Sequence, residues 1–129
     1  MNKELVEKIT SKYYEMFHMN EKVDSKPTMY NNTIECGDGW FDIISQLCEE
    51  LYAMCPKVVQ IKEKFGGLRF YASFTSNYSE QAWKLIRETE EASCEICETC
   101  GEKGEMRMID GRMAVRCNKC YEKLLQKNI

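Results

Sequence analysis

Four cysteines near the end of the chain carry the chemistry most readable from residue type and spacing. They form two Cys-x-x-Cys pairs, Cys97 with Cys100 and Cys117 with Cys120, and sixteen residues separate the pairs. That spacing reads as a four-thiolate zinc site. A two-residue gap lets one tight turn of backbone offer two sulfurs to the same ion, and Zn²⁺ takes four such ligands in a tetrahedron. The intervening residues suffice for a short β-hairpin that brings the second knuckle back beside the first. Gly101 directly follows Cys100, which fits a knuckle turning through positive φ. One Zn²⁺ held by Cys97, Cys100, Cys117 and Cys120 is therefore expected. Four protein ligands leave no position for a reacting water, so the ion is expected to be structural.

The other cysteines fit this scheme less directly. Cys94 precedes Cys97 by three residues, so two Cys-x-x-Cys pairs overlap. Cys97 with Cys100 is preferred because Gly101 follows it. Cys94 then ends the preceding helix as a free thiol or an alternative ligand. Cys36, Cys48 and Cys55 read as small buried hydrophobes. Cys48 and Cys55 share one side of a helix two turns apart, too far to share an ion.

Nothing else in the chain suggests catalysis. The single histidine, His18, sits at a helix end, where a partner for the helix dipole is the ordinary role. There is no Ser/His/Asp set, phosphate-loop pattern or H-E-x-x-H. A redox role for Cys-x-x-Cys needs a thioredoxin-like strand–helix context, which the pattern lacks. No enzyme is expected. The 129 residues are one ordinary domain's worth, and a net charge of −3 gives no global basic character. No apolar run approaches the roughly 20 residues of a membrane span. The opening M-N-K-E-L-V-E-K reads as a charged helix start, not a secretory signal. A cytoplasmic location follows as an expectation. There, eight cysteines imply metal and free thiols instead of disulfides.

The elements that position the cysteines follow from periodicity. Leu5, Ile9, Tyr13 and Phe17, with Val6 and Met16, predict an amphipathic helix over residues 3–19. Residues 20–35 have loop composition. Asp38 is a candidate N-cap for a central helix whose stripe is Trp40, Ile43, Ile44, Leu47, Cys48, Leu51 and Met54 or Cys55; Pro56 stops it. Two alternating runs then meet at Gly66-Gly67 and predict a β-hairpin with a primed turn. Ile61, Phe65, Leu68 and Phe70 should face the central helix. Lys62, Lys64, Arg69 and Tyr71 should face away, with backbone amides exposed at Gly66 and Gly67. That face is either a solvated sheet surface or an anion- or nucleotide-contacting one.

A third helix is predicted from Ser79 to the early nineties, turning strongly acidic: seven Glu and one Lys lie between Glu88 and Glu105. Met106–Asp110 and Arg112–Arg116 should pair through Gly111, and Tyr121–Lys127 should form a short terminal helix. Arg107, Arg112, Arg116 and Lys119 would balance the −2 charge of a tetrathiolate zinc, or the basic hairpin would touch phosphates. The predicted fold is α+β: residues 1–93 form helices packed on a β-hairpin. Residues 94–129 form a zinc ribbon docked on it as one compact unit.

K-E-K-F-G-G-L-R-F-Y, preceded by G-D-G-W…L-C and followed by C-x-x-C-G…C-x-x-C, resembles a family of small uncharacterised proteins of bacteriophages and prophages. The similarity spans roughly residues 36–121, and the decapeptide from Lys62 to Tyr71 is its most specific part. The resemblance implies phage origin and a C-terminal zinc ribbon, with no activity to transfer. Two binding functions are then expected. One is recognition of a protein, a host protein if phage-encoded, through the hairpin at Gly66 and Gly67 and the acidic helix. The other is nucleic acid or nucleotide binding through Lys62, Lys64, Arg69, Tyr71 and the basic ribbon. The acidic overall balance favours the first.

Overall fold

The computed structural model describes residues 1–18, 34–54, 56–74 and 79–127. The first helical stripe is broken in two: α1 spans Lys3–Lys12 and α2 spans Tyr14–His18. Tyr13 lies between them at φ −112 and ψ 45, outside helical geometry. Asn2 caps α1, its Oδ1 accepting from the N–H groups of Glu4 and Leu5. Both pieces keep the expected inner face, with Val6, Ile9, Tyr13, Met16 and Phe17 buried. The His18 side chain, most of the expected loop (19–33) and Cys55 lie outside the described residues.

The loop reading fails at its end, where Ile34–Glu35 forms β1. β1 runs parallel to β2, Lys57–Lys64, which pairs antiparallel with β3, Gly67–Ser73, in the order β1-β2-β3. The expected phase of β2 needs correction. Val58 lies opposite Ala72 while Gln60 lies opposite Tyr71, so Val59 is an extra residue in a β-bulge. Val58 and Ile61 therefore share the buried face despite odd spacing, and Val59 is turned out.

The turn also differs. Lys64 pairs with Gly67, which leaves Phe65 and Gly66 as the loop, at φ 54 and 88. Two positive φ values mark a type I′ turn. Phe65, expected in the core, is instead 71% exposed at the hairpin tip.

Asp38 does not cap the central helix. Asp38–Trp40 forms a single 3₁₀ turn leading into α3, Phe41–Leu51, and Asp38 Oδ1 accepts from the N–H of Asn2 at 2.6 Å. Trp40, Ile44, Leu47, Cys48 and Leu51 are buried against Phe17, Ile61, Leu68 and Phe70. α4, Ser79–Ser93, runs beside β3 and occupies its otherwise free edge. Ser93 Oγ accepts from Leu68 N at 2.9 Å, and Glu90 Oε2 from Phe70 N at 2.9 Å. An edge strand is thus closed by side chains of a helix.

The chain ends in β4, Glu105–Ile109, paired antiparallel with β5, Arg112–Arg116, followed by α5, Asn118–Lys127. Asp110 and Gly111 form the turn at φ 51 and 79. Helices and strands are mixed as an α+β arrangement, with four cysteines clustered near its C-terminal end. Among the described residues, no helix is long and apolar enough to cross a membrane.

Candidate metal centre

The first cysteine pair sits in a turn between α4 and β4. Gly101 N donates to Cys97 O at 2.9 Å and Cys97 N donates to Glu102 O at 2.7 Å, closing a tight loop. Gly101 at φ 85 makes the reversal, as a residue without Cβ can. The second pair is not a matching knuckle. Cys117 directly precedes α5 and Cys120 lies in its first turn. Cys120 N points to Cys117 Sγ at 3.4 Å, so the sulfur takes the place of a capping oxygen, where the helix dipole favours negative charge.

The two hairpin strands bring these pairs together. The Sγ atoms of Cys97, Cys100, Cys117 and Cys120 all lie within 4.8 Å of one another. Cys100 and Cys117 have sulfurs 3.6 Å apart. Zn–S bonds of about 2.3 Å in a tetrahedron give S···S edges of about 3.8 Å. The donor set therefore fits a single ion. Cys97 is fully buried and Cys100 is exposed, so the cluster lies at the surface with one side sunk into the protein.

The thiols differ in acidity. Burial opposes ionisation of Cys97, but main-chain N–H groups of Cys117, Cys100 and Thr99 outweigh it and bring the thiol down to about 6. The N–H of Cys120 lowers Cys117. For Cys100, an N–H of Glu102 acts downward, and burial and the sulfurs of Cys117 and Cys97 overcome it and raise the thiol. Burial and the three neighbouring sulfurs push Cys120 up to about 12. Two sulfurs are shifted toward thiolate and two away from it, as expected where like charges this close oppose one another. A dication shared by all four removes that opposition.

The remaining described cysteines stand apart. Burial, reinforced by the charge of Glu98, pushes Cys36 up to about 12, and burial alone does the same for Cys48. Both are buried in the core cluster. Cys94 is half-buried with Sγ 3.9 Å from Glu90 O, outside the four-sulfur cluster.

Arg107 and Arg116, two of the cations expected to balance the site, are engaged with other partners. Arg107 donates through Nε to Arg116 O at 2.9 Å and through Nη2 to Asn118 Oδ1 at 2.6 Å. It also stacks 4.4 Å from the Tyr121 ring centre. Arg116 Nη1 pairs with Glu98 Oε1 at 3.3 Å. These contacts brace β4, β5 and α5. Arg112 and Lys119 are exposed, and none of the four donates to a cysteine sulfur among the described residues.

Residues that sequence reasoning passed over hold the cysteine loop in place. Gly39 N donates to Glu98 O at 2.8 Å, Gly37 N to Glu98 Oε2 at 2.8 Å, and Trp40 Nε1 to Ile96 O at 2.9 Å. A Cβ on Gly39 would lie 2.1 Å from Cys97 O, and one on Gly37 2.2 Å from Glu98 O. Both glycines are there because backbone meets backbone. The G-x-G spacing before Trp40 was the available signal. Nothing local reveals that its partner lies some sixty residues away.

The expected binding face divides. Lys62 and Arg69 are cross-strand neighbours on the outer side of the sheet, with Lys64 and Tyr71 on the same side. Gly66 and Gly67 are buried, and Gly66 N already donates to Glu63 Oε2 at 2.7 Å. The expectation of exposed amides there is therefore wrong; the type I′ turn points them into the protein's own contacts. No protein-family model, curated protein or solved structure matches the chain.

Proposed function

We propose that this chain is a non-enzymatic zinc protein whose activity is recognition of another protein. Cys97, Cys100, Cys117 and Cys120 would hold one Zn²⁺, and the ion would fasten the β4–β5 segment to the core. The observation that carries this reading is the set of four sulfurs within 4.8 Å of one another. An all-thiolate tetrahedral set selects zinc over the oxygen-seeking Mg²⁺ and Ca²⁺. Zinc supplies folding free energy at such sites, on the order of 10–16 kcal/mol in isolated zinc peptides. With every coordination position filled by protein, the ion would have no place for a reacting water, which supports a structural role for it beside a binding surface. If the resemblance to phage proteins holds, the partner is a host protein met in the host cytosol.

Elemental analysis of the purified protein tests the metal. One zinc per chain is expected, with cobalt substitution giving the spectrum of tetrahedral thiolate ligation. A metal-free folded protein, or an octahedral cobalt spectrum, overturns the reading. A second reading, binding to nucleic acid or a nucleotide, draws on Lys62, Lys64 and Arg69. Among the described residues, none has a carboxylate partner within 4.0 Å. A phosphate-driven complex weakens steeply between low and physiological salt.

A further inference from the structure

The outer side of the core sheet carries a concentration of charge that the metal site does not use. Ile61, Leu68 and Phe70 point inward, so alternation turns Lys57, Lys62, Lys64 and Arg69 outward together. Glu35, opposite Lys62 on β1, is the carboxylate among them. No ion pair within 4.0 Å neutralises any of the four cations among the described residues.

Apolar groups border this charge. The bulge turns Val59 out beside Tyr71, and the two are 52% and 37% exposed. Phe65 stands at the hairpin tip with Lys64 Nζ 5.5 Å from its ring centre. Its φ of 54 lies where Asn, Asp or Gly is favoured and a bulky side chain is strained. Among the described residues, the ring belongs neither to the core cluster nor to the hydrophobics packed against it. A strained, exposed aromatic is an observation that points toward a contact outside the chain.

We propose that this face docks an acidic segment of another protein, one whose carboxylates lie beside an aromatic or aliphatic side chain. The proposal rests on the protein-binding reading and gives it a surface and a partner chemistry. Carboxylates would meet Lys57, Lys62, Lys64 and Arg69, and the apolar side chain would pack on Phe65 or on Val59 and Tyr71. One observation favours a protein over a phosphate ligand. The amide of Gly66 is occupied by Glu63 and both glycines are buried, so the turn offers no phosphate cradle.

Selection of a random peptide display library on the purified full chain tests this, with oligo(dT) and a random DNA duplex as parallel probes. Enrichment of Asp and Glu around an aromatic or leucine is expected. The best synthetic peptide should bind at physiological salt. The pair Lys64→Glu with Arg69→Glu should weaken it by about tenfold or more, as like charges juxtaposed across an interface do. Phe65→Asn should weaken it too, with metal content and circular dichroism unchanged. Should Arg69→Glu fail to fold, Lys57→Glu with Lys64→Glu serves instead. Selected peptides without acidic enrichment, or acidic peptides that bind the reversed variant equally well, overturn the docking face while protein binding stands. Tighter binding of either DNA than of any peptide overturns both. Failure of every probe to bind overturns the docking face.

Discussion

β2–β3 and β4–β5 both reverse over two residues at positive φ, Phe65–Gly66 in the first and Asp110–Gly111 in the second. Beyond the turn they have little in common. The first buries Val58, Ile61, Leu68 and Phe70 on one side and has its outer edge closed by Ser93 and Glu90. Of the ten strand residues in the second, Val115 is the one that is buried. A two-stranded hairpin with so little apolar support is marginal in water. The cysteines lie at the feet of this second hairpin, two just before β4 and two just after β5. Four cysteines that could hold a metal ion stand where burial is missing, so the two hairpins contrast a buried face with a candidate cross-link.

The sharpest test separates the two hairpins. Stripping metal with a strong chelator, or making Cys117→Ser, should abolish amide protection across Arg107–Val115 while Ile61 and Phe70 remain protected. Hydrogen exchange followed by NMR reads both at once. The loss should approach the full stabilisation of the site, on the order of 10 kcal/mol. Equal loss in both hairpins would break the contrast. Next in size, Ile61→Ala should cost about 2–5 kcal/mol in urea unfolding, whereas Met108→Ala, at a 64% exposed position, should cost less than about 0.5 kcal/mol.

Gly39→Ala probes the seam between the two regions. Its methyl would fall on Cys97 O and Gly101 N, at 2.1 and 2.6 Å, and backbone cannot yield there without opening the cysteine loop. A destabilisation of about 1–3 kcal/mol is expected. A chelator competition should show weaker metal retention than the wild type. The smallest effect concerns the turns. Phe65→Asn should raise the urea midpoint by the equivalent of about 1 kcal/mol, since Asn tolerates the left-handed region. Gly111→Ala should lower it by a similar amount, although its Cβ would meet nothing within 4 Å.

Much of this was readable beforehand, for local reasons. The cysteine spacing predicted the four residues that converge, because ligand geometry constrains short stretches of chain. α4 begins at the expected Ser79, and Trp40 to Leu51 carry the expected stripe. The misses involve choices that local pattern leaves open. Val58, Val59 and Ile61 are all β-formers, so alternation alone cannot say which is the bulge. Consecutive glycines at 66 and 67 drew the turn one residue late, and only the pairing of Lys64 with Gly67 places it. The second cysteine pair starts a helix because Asn118 onward sustains α5, which the expected start at Tyr121 missed. Glu98 read as one of seven Glu in a strongly acidic stretch. It is buried because its carboxylate serves Gly37 and Arg116, a long-range arrangement with no local trace.

The indole of Trp40 has its acceptor fifty-six positions further along, at Ile96. During synthesis the earlier part of a chain emerges and compacts first. A nascent chain that has released α3 but not residue 96 therefore carries a tryptophan N–H with nowhere of its own to go, and water or a chaperone must serve it. The same donor is stranded in any proteolytic fragment that ends before the cysteine loop. Emergence of residue 96, more than collapse of the earlier segments, sets when this buried N–H can meet its own acceptor.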